Sequence, residues 1–259
     1  MRSFFFSLAY WTLSGFYVLL AALASIVPGR GVVQAIVRVY CHRMLWAMHW
    51  IAGIRIDLKG RERLPAGAFI IAAKHQSWGD GYVMFANVDK VAFVTGDHLE
   101  HIPLLRGILR KLGAIVVDTC GGPESRRALA DSAAVAHRDG RRILIYPEGH
   151  LAKAGERFRY RTGVFHMYRD FDMPVVPVAT NLGLFWPQQD FKKNPGTATV
   201  EFLDPIPTGL GRQDFMTRLE AAIETRTAEL LALATGEPVT ASILMPTPGE
   251  APALERRTT

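Results

Sequence analysis

The sequence predicts an α/β fold: a mostly parallel central sheet flanked by helices, preceded by N-terminal membrane-associated helices. Two observations carry this. After Arg55, short apolar runs alternate with helical stretches, the pattern of an α/β domain. Before Arg55 lies an uncharged apolar run long enough to reach across a bilayer. The expected organisation is a helical segment at 1–55, an α/β domain at 56–235 and a disordered tail at 236–259, rich in Pro, Thr and Ala.

The run Phe4 to Val27, "FFFSLAYWTLSGFYVLLAALASIV", carries no charge. As a helix it reaches about 36 Å, against a hydrocarbon core of about 30 Å. Membrane insertion is the expectation. A signal peptide and a buried core helix are its alternatives, and the apolar stretch is long for a signal core. Pro28 and Gly29 break the helix, and "VVQAIVRVYCHRMLWAMHWIAGI" begins a second. On a helical wheel Gln34, Arg38, His42 and His49 fall within about 80° of one another. Such a helix either lies at a membrane interface or packs on the domain that follows.

With 259 residues, 49% of them hydrophobic, the chain can bury one sizeable core. Of the formal net charge of +6, five charges precede the first acidic residue, Asp57. The basic bias therefore belongs to the apolar N-terminus, which suits an anionic lipid surface. No aromatic–basic ribbon or zinc-finger spacing points to nucleic acid. Two cysteines, Cys41 and Cys120, form no disulfide framework, so a reducing compartment is expected.

The predicted strands are 68–73, 91–95, 114–117, 143–146, 175–179 and 197–203. Between them, "ESRRALADSAAVAHRDG" reads as a helix stopped at Gly140, and "DFMTRLEAAIETRTAELLAL" as a closing helix. Polar residues follow the strands: His75, Asp97, Asp118, Glu148 and Asn181. In open α/β sheets ligands bind outside the carboxyl ends of parallel strands, so these five are expected to face one crevice.

Within "AFIIAAKHQSWGDGY", His75 and Asp80 are five apart across a loop entering a helix. A neutral imidazole suits a general base near pH 7, and a carboxylate on its far nitrogen fixes the tautomer. The sequence has no G-x-S-x-G elbow, so the hydroxyl to be activated is expected on a substrate. Ser77 is the internal rival nucleophile, and a helix cap is its other role. In "ILIYPEGH", Glu148 is a candidate to hydrogen-bond a polyol or orient a cation, and Gly149 to let backbone amides approach a ligand. "GDHLEHIP" puts His98 and His101 on one helical face near Asp97, but a third strong metal ligand at recognisable spacing is missing.

Together these blocks resemble the glycerolipid acyltransferases, particularly the bacterial 1-acyl-glycerol-3-phosphate acyltransferases. "KHQSWGD" is similar to the family's N-H-x-x-x-x-D, "GAIVVD" to G-x-x-F-I-D-R, "YPEGH" to F-P-E-G-T-R, "YRTGV" to F-K-x-G-A, and "VVPVA" to V-P-V. The order is kept from about Ile56 to Leu233. The resemblance implies acyl transfer from acyl-CoA or acyl-carrier protein to the free hydroxyl of a glycerolipid such as lysophosphatidic acid. It implies no metal or organic cofactor, His75 and Asp80 as catalytic residues, and Glu148, Gly149 and Arg161 at the substrate. It also implies membrane lipids as partners, and a bacterial inner membrane with the catalytic domain on its cytoplasmic side.

Two departures bear on the acceptor. Thr119 stands where the family has arginine, and His150-Leu151 where it has Thr-Arg. Arginines there suit bidentate contact with phosphate. Arg161, Arg126 and Arg127 are the candidate replacements; otherwise the acceptor is another lysolipid. A thioesterase using the same His–Asp pair on water is the rival activity, and a non-enzymatic lipid-binding relative ranks last.

Overall fold

The computed structural model describes residues 1–117, 123–188 and 190–237, with 123–126, 128 and 129 described by backbone alone. The chain opens with helices α1 (Arg2–Ala24) and α2 (Gly31–Ala47), the second continuing into a π-helical turn at Met48–Ala52. Strand β1 (Ile54–Lys59) follows, then β2 (Ile70–Ala73), α3 (Gly79–Asn87), β3 (Val91–Gly96), α4 (Leu105–Leu112) and β4 (Ile115–Val117). Next come α5 (Pro123–Arg138), β5 (Arg142–Ile145), α6 (Gly163–Asp170), β6 (Val175–Thr180), β7 (Gly196–Phe202) and α7 (Arg212–Thr235).

The seven strands form one sheet in the order β1-β7-β6-β2-β5-β3-β4. The five strands from β6 to β4 run parallel, and β7 turns antiparallel to β6 while pairing parallel with β1. The mostly parallel sheet is thus as the sequence predicts. The extra edge strand β1, "IRIDLK", falls outside the predicted set because its alternating polar residues break the apolar run. β2 is buried at all four positions, as a central parallel strand covered on both faces must be.

One core lies where α1, α2 and α3 cover the sheet, with Phe6, Met44, Met48, Ile71, Val83 and Leu144 in contact. The other joins α5, α6 and α7 to the opposite face through Ile70, Ile143, Tyr168, Phe215 and Ile223. Helix α2 packs by Val33, Cys41, Met44 and Ala47, and its polar stripe ties down through Arg38 to Asp89. A second apolar face of α2, with Val32, Val39 and Trp46, stays exposed.

Helix α1 is not the buried core helix that was one alternative. Phe6 and Ala21 are its buried residues, whereas Phe4, Phe5, Leu8, Trp11, Phe16, Leu19, Leu20 and Leu23 face outward. It is the one helix among the described residues with the length and composition to cross a membrane. Of the tail expected at 236–259, residues 238–259 lie outside the described residues.

Candidate active site

The site grows from the end of β2. Its neighbours are β5 and β6, with Ala72 paired to Ile145 and Ala73 to Val178. Extending that parallel register brings the residues after Ala73 beside those after Ile145, so Lys74 and His75 meet Tyr146 and Glu148. Neither meeting depends on a long loop.

The chain turns at Gln76-Ser77-Trp78 into α3, and Asp80 lies in its first turn. The Asp80 carboxylate, 2% exposed, accepts the backbone N–H groups of Gln76 and Ser77 at 2.8 Å each. The same oxygen lies 3.1 Å from His75 Nδ1. The two amides fix the position of this carboxylate in the first turn of α3. A carboxylate at Nδ1 keeps the proton there and leaves the lone pair on Nε2, the tautomer a general base requires. His75 retains 20% side-chain exposure, so this imidazole is reachable while its carboxylate is not.

Ser77, the rival nucleophile, is fully buried, and its Oγ accepts the N–H of Gly79 at 3.0 Å. It serves the turn. Gly79 is required by close packing: a Cβ there would come within 2.8 Å of Leu182 Cδ2 and 3.1 Å of the Trp186 ring.

The His75 imidazole stacks on Tyr146, centroids 3.8 Å apart and planes at 14°. Burial, with the Asp80 charge adding to it, holds the Tyr146 phenol well above its ordinary range, so it stays protonated. Its hydroxyl and Asp80 Oδ1 are buried and neither finds a hydrogen-bond partner among the described residues. Sequence reasoning passed over Tyr146; its signal was an aromatic in the first position past β5, next to the strand that ends in His75.

Glu148 differs from its expected place at a bound polyol. It is 1% exposed, both its oxygens lie 3.1 Å from Lys74 Nζ, and the Phe158 N–H donates to it at 2.7 Å. The cation it orients is the chain's own. Lys74 also donates to Glu224 of α7 at 2.9 and 3.1 Å. Lys74 and Glu224 were likewise missed, although a lysine closing an apolar strand and a glutamate beside Ile223 on the buried face of α7 both ask for a partner.

Gly149 adopts φ +70, and its N–H is committed to the Tyr146 carbonyl at 2.9 Å rather than offered to a ligand. A Cβ there would come within 2.6 Å of Arg161 Nε. The glycine therefore makes room for the arginine. Arg161 is exposed at the crevice mouth, and its Nη2 donates to His150 Nε2 at 3.0 Å. Partial burial and then the Arg161 charge lower the His150 pKa, which keeps this imidazole neutral.

The five strand-end residues do not all face one crevice. Asn181 is spent on structure: its Oδ1 accepts from Thr199 N at 2.8 Å and its Nδ2 donates to the Leu230 carbonyl at 3.0 Å. Asp97 opens a 3-10 turn, where its carbonyl lies 3.1 Å from His101 Nδ1. Asp118, Thr119 and Cys120 lie outside the described residues, as does the Arg126 side chain; Arg127 is exposed.

Comparison with known proteins fits this geometry. Residues 55–181, which contain β2 to β6 and all of β1 but Ile54, match the family described as Acyltransferase. A 1-acyl-sn-glycerol-3-phosphate acyltransferase of Pseudomonas aeruginosa is 28% identical over 196 residues, covering 71% of this chain and 76% of that protein. One of the same name from Limnanthes douglasii is 25% identical over 171 residues, 65% of this chain and 60% of that protein. The crystal structure of the 1-acyl-sn-glycerophosphate acyltransferase of Thermotoga maritima superposes with a TM-score of 0.72 at 19% identity, covering 90% of this chain and 98% of that one. The family match falls on the part of the chain that carries the sequence blocks, and residues 55–181 form an Acyltransferase-family domain.

Proposed function

We propose that the protein transfers a fatty acyl chain from an acyl thioester, acyl-CoA or acyl-carrier protein, to the free hydroxyl of lysophosphatidic acid, giving phosphatidic acid. The observation that carries the mechanism is the His75–Asp80 pair: a partly exposed imidazole held at Nδ1 by a buried, amide-bound carboxylate. His75 Nε2 removes the hydroxyl proton as the acceptor oxygen attacks the thioester carbonyl carbon. The tetrahedral intermediate collapses, the C–S bond breaks, and the proton on His75 passes to the leaving thiolate. Asp80 stabilises the imidazolium formed between these steps. The acceptor's own oxygen is the nucleophile, so no acyl-enzyme forms.

Arg161, beside the neutral His150, is the cation offered to the acceptor's phosphate. The lipid identity of both substrates agrees with the exposed apolar surface of α1 and α2, which suits association with a membrane. A cavity of about 390 Å³ between α1, Trp78 and residues 186–193 is walled by Tyr10, Trp11, Trp186 and Phe191, with Asp190 and Lys193 also lining it, and its aromatic wall suits an apolar chain.

Membranes holding the wild-type protein, given labelled acyl-CoA or acyl-carrier protein with glycerol 3-phosphate, lysophosphatidic acid, lysophospholipids or a lyso-aminolipid in turn, test the substrates. The account expects product on lysophosphatidic acid. Product only on a different lysolipid would mean that Thr119 and His150-Leu151 mark a changed acceptor, and fatty acid released without any acceptor would favour the hydrolase.

A further inference from the structure

Beneath the crevice lies a cluster of ionisable groups that the acyl transfer itself does not use. Lys74, 1% exposed, donates from Nζ to Glu148 of the β5 turn, to Glu224 of α7 and to the Glu156 carbonyl at 3.0 Å. Glu224, 4% exposed, also accepts from the Tyr160 hydroxyl at 2.8 Å. Phe158 N–H donates to Glu148. Lys74 thus joins the end of β2 to the β5 turn, to α7 and to Glu156 of the 150–161 loop, while its two carboxylate partners hold Phe158 and Tyr160 of the same loop. That loop carries His150 and Arg161, and at its start Ala152 N–H donates to the carbonyl of His75 itself at 2.8 Å.

We propose that Lys74 is a positioning residue for acyl transfer: its ammonium is the clasp that holds the 150–161 loop, with the His150–Arg161 pair, at a fixed distance from His75. The proposal rests on the function given above, because it assumes that Arg161 receives the acceptor's anionic group while His75 receives its hydroxyl. Both must be engaged by one small molecule, so a shift of about 1 Å between them is felt in reactivity.

The clasp is sensitive to protonation. Two carboxylates share one ammonium, which leaves one buried negative charge uncompensated when all three are ionised. Burial pushes the Glu148 carboxyl up to about 7, Lys74 opposing and Glu224 reinforcing the rise. The other groups in reach are Tyr160, held protonated by burial, and Glu220, raised by burial, with Arg157 opposing the rise, Glu224 reinforcing it, and Lys74 and then Arg159 opposing it. Below about pH 7 Glu148 carries a proton, and one of the two carboxylate charges beside Lys74 is removed. Above it, Glu148 and Glu224 repel across Lys74, and the loop is less firmly held. The acceptor KM should therefore rise with pH for a reason lying outside the reacting atoms.

The test uses the full chain in membranes, with lysophosphatidic acid as acceptor and an acyl thioester as donor, and compares Lys74→Met, Glu148→Gln and His75→Ala with wild type from pH 6 to 9. Circular dichroism establishes that each detergent-purified variant is folded. Lys74→Met is expected to raise the acceptor KM at least tenfold at pH 7, with a smaller change in kcat. Glu148→Gln, neutral at every pH, is expected to lose the alkaline rise in KM that the wild type has; the acceptor's own ionisation is common to both proteins. Folded variants whose KM follows wild type across the whole range overturn the proposal. Should Lys74→Met not fold, the pH profile of Glu148→Gln alone decides. Loss of turnover in His75→Ala alongside wild-type behaviour in the other two removes the clasp and leaves the function standing. Turnover surviving in His75→Ala removes the function, and the clasp proposal with it.

Discussion

The imidazole of His75 lies flat against the phenol of Tyr146, 3.8 Å between centroids. The stack fixes the ring plane that the Asp80 contact alone leaves free to swing, and it places a π face under the imidazolium that forms during transfer. Replacing Tyr146 by Leu should lower kcat about tenfold, the worth of one aromatic contact of roughly 1.5 kcal/mol. Tyr146→Phe keeps the ring and removes a buried hydroxyl that has no partner among the described residues. It should retain kcat within about threefold and raise thermal stability by up to about 1 kcal/mol. Steady-state kinetics and a thermal melt of both variants check this.

Asp80→Asn should preserve the fold while removing the charge that holds His75 in its basic tautomer. The expected loss in kcat is on the order of 10²- to 10⁴-fold, with the acceptor KM nearly unchanged, since Asp80 is buried away from the substrate. A large rise in KM with kcat intact would assign Asp80 to binding instead.

Arg161→Ala should raise the KM for lysophosphatidic acid about tenfold or more, because a charge-assisted contact to phosphate is worth roughly 1.5–3 kcal/mol. An acceptor without an anionic headgroup should show no such dependence. Comparing the two acceptors on the wild type and the variant separates phosphate recognition from general damage to the loop.

Stability should depend on pH through Glu148. Its folded carboxyl is raised from 4.5 to about 7, chiefly by burial, so the folded chain holds a proton that the unfolded chain has released anywhere between those values. Raising the pH through that window therefore costs stability, on the order of 3 kcal/mol by pH 8, and below about pH 4.5 the penalty is absent. Glu148→Gln should flatten this slope. Denaturant unfolding in detergent at pH 5 and pH 8, with wild type and variant side by side, measures it; a wild-type slope unchanged in the variant would place the proton elsewhere.

Most of the sheet was legible because its strands are short, apolar and bounded by polar residues, and each predicted run overlaps one. β1 was not, since "IRIDLK" exposes one face and carries charge, and its burial depends on β7, paired with it from 142 residues away. The His75–Asp80 pair was legible from local spacing, because a five-residue turn into a helix brings its ends together. Glu148 was found and its role missed. What decides whether a strand-end carboxylate looks outward or inward is the partner beneath it, and Lys74 and Glu224 are 74 and 76 residues from it in the chain. Asn181 misled for the same reason: its amide bridges β7 and the end of α7, neither of which local sequence reveals.

The central claim is that His75 drives acyl transfer to a lipid hydroxyl. The most direct measurement is the formation of phosphatidic acid from labelled acyl thioester and lysophosphatidic acid in membranes holding equal amounts of the wild type or His75→Ala. The account predicts product with the wild type and at least a thousandfold less with the variant, with no acyl group left on the protein. Undiminished product in His75→Ala, or free fatty acid formed whether or not the acceptor is present, would contradict it.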